Sequence, residues 1–265
     1  MIMTTNDDAD KEWVLTHYYN VPRETLEFCG DVFHNKIVLD IGCGDGITDA
    51  GLLNLGIKKL YGLDIDNKSE GYLQHLKKRL SYRGIYMPHD FNSRLEFLNY
   101  DGLTFPLQDN SIDIIFSWSA FEHIYNIPRI FKEMDRILNK DGFCFIQVFP
   151  WYHSKYGAHL DYIKEPFFHL RDSDQQVEAK LKEYILNELE KGISVDVNFI
   201  LNYKFNQYKL LNRYSADMFY EDIKRSPFKV IKAETISYTE NPSLAPKEYR
   251  LSEIMISGTK FLLKY

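Results

Sequence analysis

The stretch VLDIGCGDGITDAGLLNLG (residues 38–56) decides how this chain is read. An aliphatic run, KIVLDIG (36–42), enters three alternating glycines, Gly42, Gly44 and Gly46. A helical pattern leaves them and continues to about Leu55, where Gly56 stops it. Free backbone N–H groups at such a strand-to-helix turn favour negative charge, and a phosphate is the usual occupant. Here Asp40 stands at the entrance and Asp45 in the middle, which opposes a phosphate. The nicotinamide fingerprint needs a third glycine at position 47, where the chain has Ile47. A Walker loop needs Gly-Lys-Ser/Thr, and no such triplet follows. What remains is Asp-x-Gly-x-Gly-x-Gly. It suits a ligand that lets the backbone come close and carries a cationic amine.

Working outward, short β-rich runs alternate with helical patterns. KLYGLDID (59–66), LEFLNYD (95–101), SIDIIFSWSA (111–120) and GFCFIQVFP (142–150) read as further strands. Segment 68–83 repeats apolar residues at Tyr72, Leu73, Leu76 and Leu80, a helical spacing. Asn126 reads as an N-cap with Pro128 in the first turn, opening a helix that Gly142 is expected to end. This alternation implies a parallel sheet covered on both faces. The rhythm breaks over 151–210, an aromatic and histidine-rich loop followed by a helix from about Ser173 to Lys191. Ser173 and Gln176 stand in capping-box positions there, and Val177, Leu181, Ile185 and Leu189 lie along one face. A short helix, SADMFYEDIKR, and two late strands, FKVIKAETISY and EIMISGTKFLLKY, close the chain as an expected antiparallel edge.

The 265 residues are 45% hydrophobic and 26% charged, enough for a normal core. A net charge of −6 argues against a general nucleic-acid binder. The basic run HLKKRLSYR (75–83) reads as a solvated helix face. Cys29, Cys43 and Cys144 lack paired spacing and are expected to be reduced thiols. The polar, acidic N-terminus is unlike a signal peptide, and no apolar run approaches the roughly 18–20 residues that cross a bilayer. The expected location is cytoplasmic.

S-adenosylmethionine matches the chemistry asked of the loop ligand, with its ammonium, sulfonium, ribose and adenine. VLDIGCGDG resembles motif I of the class I S-adenosylmethionine-dependent methyltransferases. Asp64, closing LYGLD, sits where that family keeps the acid that binds both ribose hydroxyls. NYDGLTFPLQDNSIDIIFS is similar to the next block, whose acid contacts the adenine amino group; here that is Asp101, with Gly102 beside it. SAFEHI (119–124) resembles the Leu-Glu-His-Ile stretch after the fourth strand of small-molecule members. The resemblance covers about residues 36–150 well and the last 50 loosely. It implies a Rossmann-like fold, α/β with a seven-stranded, mostly parallel sheet, an antiparallel terminal strand and helices on both faces. It also implies S-adenosyl-L-methionine as cofactor, S-adenosyl-L-homocysteine as product, and cofactor contacts from Asp40, Gly42, Gly44, Gly46, Asp64, Ile65, Asp101, Gly102 and Ser117.

The acceptor is expected beyond the carboxyl ends of the strands. His159, His153 and His123 are the candidate catalytic groups, since an alcohol acceptor needs its proton taken. Trp118, Glu122, Tyr152, Tyr156, His169, Arg171 and Arg213 are candidate acceptor contacts, the arginines as bidentate anion binders. The segment from Ser154 through Gly157 and His159-Leu160, followed by Pro166 and His169-Leu170, resembles a motif of bacterial small-molecule methyltransferases. The three insertion histidines match no standard metal spacing, so no metal is expected. The expected organisation is an N-terminal helical lid (1–35), a cofactor-binding core (36–150), an acceptor-pocket insertion (151–212) and a C-terminal helix and strand pair (213–265). The activity expected is transfer of a methyl group to oxygen, less readily nitrogen, of a small polar or anionic metabolite. The chain as a whole resembles enzymes of bacterial capsule and surface-polysaccharide pathways, which methylate sugars or a phosphoramidate group. The expected partner is a small-molecule acceptor, with a homodimer left open and neither nucleic acid nor membrane. Two alternatives stand beside this reading: a non-catalytic cofactor-binding partner of another methyltransferase, and a different nucleotide-using Rossmann enzyme such as a dehydrogenase or epimerase.

Overall fold

Ile37–Ile41 forms β1, a strand whose apolar side chains bury on both faces and whose single polar residue, Asp40, is also buried. A computed structural model describes residues 5–68, 71–238, 242 and 244–265. Two helices precede the strand, α1 (Thr5–Leu15) and α2 (Val21–Cys29), joined by a π-helical turn over Thr16–Asn20. After β1 the chain alternates: α3 (Ile47–Leu52), β2 (Lys59–Asp64), α4 (Tyr72–Tyr82), α5 (Phe91–Arg94), β3 (Leu95–Asn99) and β4 (Ile112–Trp118). Helix α6 (Ile127–Ile137) then leads into β5 (Leu138–Val148). The insertion contributes α7 (Asp174–Glu190), a π-helical stretch (Phe199–Lys204) and α8 (Phe205–Lys209). The chain finishes with α9 (Ala216–Arg225), β6 (Lys229–Ser237), α10 (Leu251–Met255) and β7 (Ile256–Lys264).

The seven strands form one sheet in the order β3-β2-β1-β4-β5-β7-β6. β1 to β5 pair in parallel, and β7 runs antiparallel between β5 and β6. This is the expected Rossmann-like, mostly parallel architecture. The antiparallel strand lies one position in from the edge, however, and β6 forms the edge itself. The physical reason is polarity: β7 buries Ser257, Thr259, Phe261 and Leu263, whereas β6 carries Lys229, Lys232 and Glu234 and is largely exposed. Charged residues suit an unpaired edge, where they discourage further strand addition.

Helices cover both faces. On one, Leu39, Ile41 and Ile115 of the sheet pack with Ile130, Phe131 and Met134 of α6 and Phe219 and Ile223 of α9. On the other, Val38, Ile114, Phe116 and Phe145 pack with Val14, Val21, Ile47, Leu76 and Leu80 from the first four helices. The insertion builds its own core from Tyr152, Leu160, Val177, Leu181, Ile185, Phe205, Tyr208 and Leu211. The Ser173–Gln176 capping box forms at the start of α7.

Three local expectations change. Gly142 does not end α6. The helix stops at Ile137 because Leu138 turns extended and pairs with Ile112; Gly142 lies inside β5, where pairing jumps to Phe143 opposite Ile114. Leu189 is 48% exposed and stands outside the α7 core, since that helix stays packed only through Ile185. The basic run of α4 is not simply solvated: Arg79 and Arg83 form ion pairs with α1, described below. Among the described residues no helix is long and apolar enough to cross a membrane.

Candidate active site

The strand order reverses at β1, whose neighbours are β2 and β4, so a crevice opens beyond the carboxyl ends of these strands. The glycine loop enters it. Gly42 has φ +79°, and a Cβ there would stand 2.3 Å from the Ala120 Cβ, so the loop passes against the turn after β4 only without a side chain. A Cβ on Gly44 would meet nothing within 4 Å, which leaves the centre of the loop open to a ligand. Backbone N–H groups of Gly42 and Cys43 both donate to the Leu63 carbonyl and fix the loop beside β2.

At the end of β2, Asp64 accepts from the Gly44 N–H through Oδ2 (2.8 Å) and from the Asp66 N–H through Oδ1 (2.9 Å). The carboxylate is thus oriented across the loop mouth. Ile65, 65% exposed, faces Gly102, whose absent Cβ would lie 4.0 Å from the Ile65 side chain. An exposed aliphatic side chain against a bare backbone makes a flat apolar wall. Asp101 beside it accepts from the N–H groups of Leu103 and Thr104, 2.8 Å each, which hold its carboxyl below the usual range. Two acids and an apolar wall therefore line one edge of the crevice. Ser117 does not face the crevice with a free hydroxyl: it donates to the Ile41 carbonyl (2.8 Å) and ties β4 to β1.

Asp40 is buried, and a further buried acid lies against it that motif reading passed over. Asp49, on the first turn of α3, has no exposed surface. Neither of its oxygens, nor Oδ1 of Asp40, meets an N–H or hydroxyl donor. The two carboxyls adjoin, and a proton held by one of them would join the pair by a hydrogen bond. Burial first, then the nearby Asp64, pushes Asp40 up to about 7 against the lowering effect of its contact with Asp49, and burial with the charge of Asp40 pushes Asp49 well above its ordinary value. The signal in the sequence was the acid five residues after Gly44, but its burial depends on Gly62. A Cβ at Gly62, which pairs with Asp40 in the sheet, would lie 2.7 Å from Asp49 Oδ2.

Asp45 points to the N-terminal helix. Its Oδ2 accepts from Trp13 Nε1 and from Arg79 Nη1, both at 2.8 Å. Arg79 also reaches Asp10 (2.6 Å), and Arg83 bridges Asp10 and Asp7 at 2.6 Å each. Helix α1 is thereby fastened to the glycine loop and to α4.

On the acceptor side the expected residues separate into two groups. His123, in a 3-10 turn over Phe121–His123, and His159 of the insertion meet edge to face with ring centroids 5.6 Å apart. His159 adopts a left-handed backbone, φ +57°, a strained conformation that structures keep where something fixes it. Its ring donates to the Pro150 carbonyl, while Nε2 is buried and has no partner. Burial first, then His123 and Lys204, pushes the ring down to about 4, so it is neutral at pH 7. Burial and Lys204 lower His123 in the same way. Lys204 was not singled out in the sequence because it arrives from the π-helical stretch of the insertion. Glu122 is buried with both carboxylate oxygens unpartnered, and burial pushes it up to about 8.

The remaining candidates are placed elsewhere. His153 lies 3.9 Å from Glu253 and against the Tyr249 ring. His169 donates from Nε2 to the Tyr152 carbonyl (2.6 Å), and Tyr152 donates to the His169 carbonyl (3.2 Å); both belong to the insertion core. Tyr156 is exposed, with Lys155 over its ring. Arg171 pairs with Glu165 and donates to the Leu244 carbonyl; Arg213 pairs with Asp174 (3.4 Å) and covers the Tyr152 ring. Trp118 stacks on Phe145 beneath Lys260. Among the described residues no three His, Cys, Asp or Glu side chains come together as a metal site.

A family model described as a methyltransferase domain matches residues 39–146. The match runs from β1 into β5 and takes in the glycine loop, Asp64, Asp101 and His123, but stops before the insertion. An uncharacterized methyltransferase of Mycobacteroides abscessus is 28% identical over 130 residues, 49% of this chain and 46% of that protein. The chain thus spans less than half the length of this curated relative. Among solved structures, an S-adenosylmethionine-dependent methyltransferase from Mesorhizobium loti superposes on 94% of this chain and 98% of its own, at 14% identity and a TM-score of 0.53. Phosphoethanolamine N-methyltransferase 2 of Haemonchus contortus, solved with S-adenosyl-L-methionine, covers 96% of this chain and 56% of its own, at 15% identity and a TM-score of 0.56. At such identities the likeness shows the fold. Residues 39–146 thus match a methyltransferase domain, and a neighbour solved with S-adenosyl-L-methionine shares the fold.

Proposed function

We propose that this chain is an S-adenosylmethionine-dependent methyltransferase that methylates an oxygen of a small polar metabolite, with a sugar hydroxyl of surface-glycan biosynthesis as the acceptor class. The observation that carries this reading is the unpartnered Nε2 of His159. Because the other ring nitrogen donates to the Pro150 carbonyl, Nε2 is a bare lone pair. It can accept a hydrogen bond from an incoming hydroxyl and then its proton. The cofactor, when bound, supplies an electrophilic methyl group on a sulfonium.

The residues of the chain align the two partners, and alignment alone can lower a barrier by roughly 7–11 kcal/mol in favourable cases. Asp64, Ile65, Asp101 and Gly102 seat the adenosine, and the open centre of the loop at Gly44 receives the remainder. His123 packs its ring against His159 and restricts its rotation. Glu122, neutral at pH 7, offers an O–H donor and a carbonyl acceptor to a polyhydroxylated ligand. The neutral state of these three groups favours an uncharged acceptor hydroxyl over a phosphoramidate anion, and the arginines that could clamp an anion are already paired with Glu165 and Asp174. The division of labour follows the chain: within 1–35, helix α1 closes over the glycine loop through Trp13, 36–150 hold the cofactor, 151–212 shape the acceptor pocket, and 213–265 complete the sheet.

Incubating the protein with isotope-labelled S-adenosylmethionine and a metabolite extract should yield a species that gains one labelled methyl, seen by untargeted mass spectrometry. His159→Ala should abolish that gain while binding of S-adenosylhomocysteine persists. Full turnover in that variant, or the absence of any labelled species with the wild-type protein, would count against the proposal.

A further inference from the structure

Motif I accounts for Asp40 but not for Asp49, which lies fully buried one helical turn beyond the glycines. A carboxyl without surface and without any N–H or hydroxyl donor is a costly feature, kept only where something uses it. The surroundings are built for it. Gly62, opposite Asp40 in the sheet, leaves the space that Asp49 Oδ2 fills, and any side chain there would also strike the Phe97 ring. Asp49 therefore has Asp40 as its neighbouring carboxyl, and Asp40 stands two residues before Gly42 on the strand that enters the loop.

We propose that Asp49 is a positioning residue for the amino-acid end of the cofactor: it keeps the one proton the Asp40–Asp49 pair must hold and donates it to Asp40, so that Asp40 presents an oriented carboxylate to the ligand's ammonium group. Two carboxyls in contact cannot both ionise, so the pair carries at most one negative charge. An ammonium ligand draws that charge onto Asp40 and leaves the proton on Asp49. The other groups facing the pair are Asp64 at the end of β2, Asp45 in the loop, and Cys43, whose buried thiol stays protonated with Lys68 farther out. Asp45 is neutralised by Arg79. None of these groups supplies a donor to Asp49. The inference rests on the cofactor reading above.

Calorimetry of the full chain with two ligands tests it. S-adenosylhomocysteine carries the ammonium; 5′-methylthioadenosine keeps the adenosine and thioether but lacks the amino acid. For the wild-type protein, affinity for S-adenosylhomocysteine should rise several-fold, about tenfold at most, from pH 6 to 8, with proton release at the lower pH, because burial holds Asp40 protonated until the ligand arrives. Affinity for 5′-methylthioadenosine should be flat. Asp49→Ala should lose about tenfold or more for S-adenosylhomocysteine and nothing for 5′-methylthioadenosine. Asp49→Asn keeps a neutral donor, so it should retain both the S-adenosylhomocysteine affinity at pH 8 and the wild-type pH slope; this variant carries the test where Asp49→Ala does not fold. An equal loss for both ligands, or a tenfold loss of S-adenosylhomocysteine affinity in Asp49→Asn, would overturn the role of Asp49. A wild-type protein that binds neither ligand would instead overturn the cofactor reading itself.

Discussion

Replacing Glu122 by Gln should make the protein more stable and less active at the same time. The side chain is fully buried and neither oxygen has a partner, so its charged form is strongly disfavoured. Its carboxyl lies at about 8 in the folded chain, against an ordinary value of 4.5. Between these values the native state holds a proton that the unfolded chain has released. Stability is therefore lost as pH rises from 4.5 towards 8, at about 1.4 kcal/mol per pH unit. By pH 7 the accumulated penalty is about 3 kcal/mol, and glutamine does not incur it. For a chain of this size 1 kcal/mol corresponds to about 2–4 °C, so Glu122→Gln should melt roughly 6–12 °C higher at pH 7 and at nearly the same temperature at pH 4.5. Thermal melts of both proteins across that range measure the divergence. Methyl transfer should fall about tenfold, since the amide presents N–H donors in place of the carboxyl O–H and holds the acceptor in a different geometry, while S-adenosylhomocysteine affinity is unchanged. Parallel melting curves across the whole range would refute the burial argument. Full turnover in the variant would remove Glu122 from the acceptor pocket.

Other perturbations address the cofactor side. Asp64→Ala should lower S-adenosylhomocysteine affinity by about 10²–10⁴, the loss of two charge-assisted hydrogen bonds, with little change in melting; affinity within threefold of wild type would exclude Asp64 from ribose binding. Gly42→Ala combines a φ of +79° with a Cβ 2.3 Å from that of Ala120, and should destabilise the fold by roughly 1–3 kcal/mol in chemical denaturation. A midpoint equal to wild type would mean that the loop yields easily. Asp45→Ala removes the acceptor shared by Trp13 and Arg79, and should speed proteolytic cleavage within residues 5–20 without slowing global refolding; unchanged cleavage would show that the apolar contacts of α1 and the ion pairs of Asp7 and Asp10 suffice to hold it.

The core sheet and the glycine loop were legible because their signals are local. A five-residue apolar strand, a glycine turn and an amphipathic helix each announce themselves within a few residues, and Asp64 and Asp101 sit directly at the ends of such strands. The Asn126 cap and the Ser173–Gln176 box could be read for the same reason. The acceptor side was far less legible. Five aromatic and histidine candidates in 151–170 looked equivalent, yet only His159 reaches His123; His169 and Tyr152 went to the insertion core and His153 to the side of Glu253. Arg171 and Arg213, attractive as anion binders, were already matched with carboxylates that no spacing rule points to.

What the amino-acid order determined by itself was the succession of strands and helices, the glycine turn with its acids, and the class of ligand that turn accepts, because backbone propensity and hydrophobic periodicity act over a few residues. Only the folded chain decided which distant groups meet. Trp13 finds Asp45 across 32 positions, Arg83 finds Asp7 across 76, and Asp49 becomes a buried partner of Asp40 because Gly62 leaves room. It also placed β7 between β5 and the charged edge strand β6. Proton sharing, neutral histidines and unpartnered carboxyls all arise from exclusion of water, and whether water is excluded depends on segments far apart in the chain packing over the same point.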